Sequence, residues 1–311
     1  MSAIIEVTGL TKNFKEAKAV NDLSFSVHEG DVYGFLGQNG AGKSTTIRML
    51  LTLIQPTSGY IKMLGMDLQT HRNEILRQVG AIIERPDLYK YLSAYENISV
   101  FSKMSGFKIP KKRLMEQLEM VELADRADDK VKTFSQGMKQ RLGIAIALVH
   151  NPSLIILDEP TNGLDPQGIA DIRNLMIDLS KNHKKTIMVS SHLLSEIEII
   201  ANRMLIIDKG KKIIEGSVQD LFDPSKMIVE FQTMNPGKTM ETIMSTNWSK
   251  SFRRQETDRF IFEMNKSSIP ELNNEFVKQG VQVLQIQQRY SLEEYFLSLT
   301  TAQPHVATSE N

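Results

Sequence analysis

The chain has 311 residues and no cysteine. This excludes disulfides, a thiol nucleophile and cysteine metal ligands, and it accords with a reducing compartment. Net charge is also missing. Lys+Arg and Asp+Glu both number 37, a formal balance of +0, so the overall charge points to neither a nucleic-acid binder nor a polybasic membrane anchor. There are no long apolar runs. Ile144 to Val149 and Ile199 to Ile207 are broken by polar or charged neighbours, far short of the roughly 18 to 20 residues a membrane-spanning helix needs. The start, Met1 to Glu6, has no basic region followed by an apolar core, and no signal peptide is expected. If the protein works at a membrane, another chain supplies the membrane part.

The 41% of hydrophobic residues is ordinary for a soluble core, and the length suits a large first domain and a smaller second. The sixteen Met residues read as core filling.

The chain is organised around Gly37-Gln38-Asn39-Gly40-Ala41-Gly42-Lys43-Ser44-Thr45, a full match to the phosphate-binding pattern G-x-x-x-x-G-K-[S/T]. The apolar stretch Asp31 to Leu36 predicts a strand before it, and Thr46 to Leu51 a helix that starts near Lys43. Glycines in that place let backbone N–H groups turn inward around an anion at the helix N-terminus. Lys43 is expected to reach the β- and γ-phosphates and Ser44 to ligate Mg²⁺. A glycine-rich turn that merely ends in Lys-Ser would look the same, so the rest of the chain decides.

Ile4 to Val7 and Leu23 to Val27 alternate apolar and polar residues, predicting an antiparallel β region ahead of the phosphate loop. Between them, Phe14 is placed either to stack on an adenine face or to sit at the edge of a small sheet. Tyr60 to Gly65 predicts a strand and turn, and Val79 to Ile83 a buried strand ending at Glu84-Arg85-Pro86. Helical periodicity follows. Ser93-Ala94-Tyr95-Glu96 is a capping box opening a helix over Tyr95 to Ser105, another helix runs from Ile109-Pro110 through Met120, and a third follows Ser135. The stretch from about Arg85 to Val149 is therefore a helical insert between strands.

The strand Leu154 to Leu157 ends in Asp158-Glu159, the usual acidic companion of a phosphate loop, with Asp158 placed to hold Mg²⁺. Thr186 to Ser191 is a buried strand with His192 at its end, and strands at Arg203 to Asp208 and Lys212 to Glu215 flank a Lys209-Gly210 turn. Past Gly216 the pattern restarts. Strands at Met227 to Gln232, Arg259 to Glu263 and Val281 to Gln287 alternate with helices at about Thr239 to Ser245, Ile269 to Gln279 and Ser291 to Leu299. The polar end, Thr300 to Asn311, reads as a disordered tail.

In order, the chain presents the phosphate loop, Phe134-Ser135-Gln136-Gly137-Met138-Lys139-Gln140-Arg141, Leu154 to Glu159, Gly163-Leu164-Asp165, and His192. This series resembles the nucleotide-binding subunit of an ATP-binding cassette (ABC) transporter over residues 1 to about 216. Residues 217 to 311 resemble the C-terminal extension of the bacitracin-resistance and lantibiotic-immunity branch, down to a motif like Leu292-Glu293-Glu294-Tyr295-Phe296. The resemblance implies that Lys43, Ser44 and Thr45 hold phosphates and Mg²⁺, that Asp158 also contacts the metal, and that Glu159 is the general base for the attacking water. His192 would sense the γ-phosphate. Ser135 and Gly137 would face ATP bound to the opposite subunit, so that one monomer is half a machine, and Asp165 would belong to the nucleotide-binding residues.

The chain departs from the family pattern in three places, the first of them covering two residues. Gln136 and Met138 flank the signature Ser135 and Gly137, Phe14 stands where a Tyr is usual, and Glu84 replaces a Gln that contacts metal and water. A carboxylate remains a possible metal ligand but, when ionised, donates no hydrogen bond. Glu at this place resembles the lantibiotic-immunity branch, and it is expected to tune coupling more than nucleotide binding.

The resemblance thus implies an α/β fold, a P-loop cassette of the ABC type, with a mixed sheet core, an antiparallel β subdomain and a helical insert at about 85–149. A small α+β domain over 217–300 and a tail over 301–311 complete the expected order. The expected function is an ATPase that dimerises around two Mg·ATP at the cytoplasmic face of the membrane. It would drive a separate permease that exports an antimicrobial peptide or similar amphiphile, with no nucleic-acid partner. Aromatics within Asp87 to Leu92 are the expected coupling surface. Two alternatives stay open from sequence: another cargo, such as a lipid or polysaccharide, and a soluble ABC-type ATPase acting on ribosomes or DNA. The single cassette, the lack of sustained heptads and the lack of a basic patch count against the second.

Overall fold

A computed structural model describes residues 2–15, 17–106, 108–221 and 227–290. The Leu292 to Phe296 motif, the expected helix over Ser291 to Leu299 and the tail lie outside the described residues. The chain divides into two compact units that part between Ser217 and Val218.

The first unit opens with two long strands, β1 (Ala3–Phe14) and β2 (Ala17–His28), paired antiparallel as their alternation predicts. β3 (Val32–Leu36) is buried at every residue and runs into the phosphate loop, followed by α1 (Lys43–Leu50). β4 (Ser58–Met63) and β5 (Met66–Asp67) complete an antiparallel sheet of order β2-β1-β4-β5. A short α2 (Arg72–Leu76) leads to β6 (Val79–Ile82). Between β6 and the next strand lie α3 (Ala94–Met104), α4 (Lys111–Met120) and α5 (Gln136–Leu148), which contact one another. The predicted capping box is present: Ser93 Oγ accepts from Glu96 N at 3.1 Å and Glu96 Oε2 accepts from Ser93 N at 2.7 Å.

β7 (Leu154–Leu157), α6 (Pro166–Lys181), β8 (Thr186–Ser191), α7 (Leu194–Ile200), β9 (Arg203–Asp208) and β10 (Lys211–Ser217) finish the unit. The main sheet has the order β10-β9-β3-β8-β7-β6, parallel throughout except for β10 against β9. Its central strands are buried along their length, as parallel strands covered on both faces must be. Phe25 of the antiparallel sheet stacks on Tyr33 and Phe35 of the main sheet, with centroids 6.0 and 5.7 Å apart, joining both sheets in one core. Helix α7 lies directly on β3. A Cβ added at Gly34 would come within 2.1 Å of Ile197 Cγ2, so only glycine permits this approach.

The second unit begins with α8 (Val218–Leu221) and then forms a sheet of order β12-β13-β11-β14. Its elements are β11 (Met227–Thr233), α9 (Pro236–Ser245), β12 (Phe252–Glu256), β13 (Arg259–Met264), α10 (Ile269–Lys278) and β14 (Val283–Tyr290). The sheet is antiparallel throughout. Phe231, Phe262 and Phe276 pack edge to face or tilted in its core, 5.3 to 6.1 Å apart. Three strands were expected here, and β12 is a fourth. Its Phe-Arg-Arg-Gln-Glu sequence turns only Phe252 towards the core, so no alternation marks it, and its pairing with β13 makes it a strand.

Candidate functional site

In the main sheet, β3, β6, β7 and β8 all end at one edge: Leu36 pairs with Ser191, and Leu157 pairs with both Val189 and Ile82. The phosphate loop, Glu84, Asp158-Glu159 and His192 therefore emerge together, at the carboxyl ends where open α/β sheets bind ligands. Helix α1 starts at Lys43 with Gly42 as its cap, at φ 107° and with no side chain satisfying the first turn. A Cβ at Gly42 would lie 2.5 Å from Ala19 O, so the loop closes only on glycine. The first N–H groups of such a helix lack internal partners and suit an anion.

Four of the expected residues are wired together. Lys43 is buried, and its Nζ donates to Gly37 O at 2.6 Å and Gln38 O at 3.3 Å and lies 3.1 Å from Glu159 Oε1. His192 Nδ1 is 2.7 Å from Glu159 Oε2. Glu159 adopts a left-handed backbone, φ 49°, and its N–H donates to Ser190 Oγ at 2.9 Å. The same Ser190 hydroxyl donates to Asp158 Oδ1 at 2.6 Å. Asp158 is fully buried, and its second oxygen, Oδ2, has no partner among the described residues. A buried carboxylate oxygen left bare fits a cation with bound water, and Ser44, half-buried at the start of α1, is the hydroxyl that follows Lys43.

Ser190 was not singled out from sequence, although a signal existed. Ser190 and Ser191 are two consecutive hydroxyls that follow the apolar Ile187 to Val189 in a fully buried strand, and buried polar groups need partners.

The remaining candidates stand apart. Ser135 caps α5, its Oγ accepting from Met138 N at 3.2 Å, and Asp165 caps α6, its Oδ1 accepting from Gly168 N at 3.1 Å. Both caps are exposed. A Cβ at Gly137 would lie 3.7 Å from Gly168 Cα, so the two helix starts adjoin. Asn39 and Gly40 are exposed at the tip of the phosphate loop, Ala41 is buried beneath it, and Thr45 is half-buried on α1. Phe14 is 45% exposed, and Lys12 Nζ lies 5.0 Å from its ring centroid. Glu84, at φ 59°, is 64% exposed and accepts from Arg48 at 2.5 Å. No bond joins it to Lys43 or Asp158 among the described residues, and Arg48 on α1 is a partner that sequence reading did not supply.

Comparison with known proteins agrees with this geometry. Residues 20–162 match the family described as ABC transporter. A bacitracin transport ATP-binding protein, BcrA, of Bacillus licheniformis is 43% identical over 310 residues, covering 96% of this chain and 98% of the relative. A lantibiotic transport ATP-binding protein, SrtF, of Streptococcus pyogenes is 43% identical over 212 residues, 68% of this chain and 90% of its own. Among solved structures, the dimeric ATP-binding cassette MJ0796 in a post-hydrolysis state bound to ADP and Pi superposes with a TM-score of 0.61. It is 25% identical and covers 69% of this chain and 98% of its own.

Proposed function

Because the chain belongs to the ATP-binding subunits of ABC transporters, in the branch of the bacitracin and lantibiotic transport ATPases, and hydrolyses ATP, we propose that two copies close around two Mg·ATP and drive a separately encoded membrane permease. One observation carries this reading: a bare helix N-terminus stands beside a Lys43–Glu159–His192 cluster in which the bonds of Lys43 can be handed over to nucleotide while Glu159 and His192 stay paired. Lys43 exchanges two loop carbonyls and a carboxylate for phosphate oxygens. Ser44 and Asp158 are the residues that would hold Mg²⁺, which would neutralise the negative charge that develops on the leaving group.

Glu159 takes a proton from the water that attacks the γ-phosphorus. The bond to the bridging oxygen breaks, and ADP and phosphate leave. Its left-handed backbone and the Ser190 bond fix the carboxylate before nucleotide arrives. His192 spends Nδ1 on Glu159 and has Nε2 for a γ-phosphate oxygen. Both partners are acceptors, so making both bonds at once requires the imidazolium form. Ser135 and Asp165, exposed and with side chains bonded only to their own helix starts among the described residues, serve the nucleotide of the other copy together with half-buried Gly137. Phe14 offers its ring face to adenine.

For the permease, the segment Asp87 to Leu92 is the docking surface. Buried Asn97 clamps its backbone, accepting from Tyr89 N at 2.9 Å and donating to Tyr89 O at 3.0 Å, while Tyr91 is 80% exposed. Beside it a cavity of about 290 Å³ is lined by Leu88, Lys90, Gln136 and Gly163 among others, and so adjoins two proposed site segments. No helix among the described residues is long and apolar enough to cross a membrane. The kinship with transport ATP-binding proteins supports a peripheral subunit at the cytoplasmic face. The names of the relatives favour export of an antimicrobial peptide or similar amphiphile.

The test uses full-length Glu159→Gln. It is expected to bind ATP, stop hydrolysing, elute as a dimer with Mg·ATP, and pull a multi-spanning protein from detergent-solubilised native membranes. A variant that stays monomeric, or that recovers only ribosomes or soluble proteins, rules the reading out.

A further inference from the structure

Glu159 and His192 sit on the ends of different strands, β7 and β8, and their 2.7 Å contact persists only while the turns that carry them hold their spacing. One side chain spans both turns. Glu196, in the first turn of α7, accepts from Thr161 Oγ1 at 2.8 Å and from Ser191 Oγ at 2.9 Å, both on its Oε2. Thr161 lies two residues after Glu159, and Ser191 immediately precedes His192. Ser191 Oγ also accepts from Leu193 N at 3.0 Å, so the bond to Glu196 orients a hydroxyl that holds the backbone on the far side of His192.

Thr161 and Ser191 are both buried, so these hydroxyls have little water to turn to, and bonds to a carboxylate are stronger than bonds to a neutral acceptor. The carboxylate itself is well anchored: its helix rests on β3 through the Gly34–Ile197 contact. A carboxylate is acceptor-only, so neither hydroxyl competes with a donor from Glu196.

We propose that Glu196 is a positioning residue for hydrolysis, tying the Glu159 turn to the His192 turn so that base and sensor stay in contact while nucleotide binds and leaves. It acts through these two hydroxyls and takes no part itself in the proton transfer at the attacking water. The proposal rests on the roles given above to Glu159 and His192.

The test compares steady-state Mg·ATP hydrolysis, ATP affinity and thermal melting of the full-length chain. Glu196→Ala is expected to lower kcat roughly 10- to 100-fold, the range seen when an orienting outer partner is lost, with KM and ATP affinity changed less than about threefold. Glu196→Gln keeps an acceptor oxygen for both hydroxyls and is expected to stay within about threefold of the parent kcat. Thr161→Val removes one arm, so it is expected to give a smaller loss and to remain informative if Glu196→Ala does not fold. In the Glu159→Gln background, Glu196→Ala is expected to lower the residual rate no further.

Parent-like turnover in both Glu196→Ala and Thr161→Val overturns the proposal. So does an equal loss in the Ala and Gln variants that tracks a fall in melting temperature, which marks a purely structural role. Normal turnover in Glu159→Gln refutes the underlying reading and this one together. An inactive Glu159→Gln beside a fully active Glu196→Ala refutes only this one.

Discussion

The two halves of the candidate site are held in different ways. Lys43, Glu159, His192 and, through Ser190, Asp158 are bonded to one another or to a shared hydroxyl, on strands whose positions the sheet dictates. Among the described residues the side chains of Ser135 and Asp165 bond only to N–H groups three residues on, and both residues are exposed. The first half is preorganised by its own chain. The second is a pair of caps whose further hydrogen-bonding capacity faces outward, which is what a surface completed by another copy requires.

The comparison is broken most sharply at Lys43. Lys43→Ala removes two or more charge-assisted bonds to phosphate at about 1.5 kcal/mol each, so ATP affinity is expected to fall roughly 100-fold and turnover with it. Equilibrium titration with ATP and a phosphate-release assay check both, and near-normal turnover refutes the loop assignment.

Ser135 separates the halves more finely. Ser135→Asp keeps a good N-cap, so melting is expected to stay within a few degrees, and ATP affinity of the monomer is unchanged. Its charge repels the triphosphate of the other copy, and turnover and Mg·ATP-dependent dimerisation are expected to drop roughly tenfold or more. If binding to the monomer weakens as well, Ser135 belongs to the first half.

The smallest effect concerns Glu84, which belongs to neither half. Its pair with Arg48 is exposed and worth under about 1 kcal/mol, so Arg48→Ala is expected to shift melting by no more than about 4 °C. Basal hydrolysis stays near the parent value, while the ratio of transport to ATP consumed in membranes holding the permease changes. A large fall in ATP affinity instead places Arg48 in the nucleotide site.

Much of this was legible in the chain. The phosphate loop, the acidic pair after Leu154 to Leu157 and His192 after Thr186 to Ser191 carry their chemistry in residue type and spacing. The strands before them are apolar because a parallel sheet buries both faces. Helix α6 was missed even though its signal was present: Asp165 as cap, Pro166 at the first helical position, then Ile169, Ile172, Leu175, Met176 and Leu179 at helical spacing. Strand β12 gave no such signal, since a polar edge strand has no apolar period to read. The Arg48–Glu84 pair was equally hidden, because 36 residues separate partners that meet only when α1 and the end of β6 are packed on one sheet edge.

Sequence alone determined the phosphate loop with its Lys and Ser, the order of the motifs, and most strands and helices of the first unit, because these depend on local composition and period. Tertiary structure alone decided which of those residues meet. Strand order brought β3, β7 and β8 side by side and so set Lys43, Glu159 and His192 in contact, left Asp158 Oδ2 bare, and turned Glu84 to Arg48. Contacts across 30 to 120 residues are fixed by the order of strands in the folded sheet, and the period of a single strand does not state which other strand lies beside it.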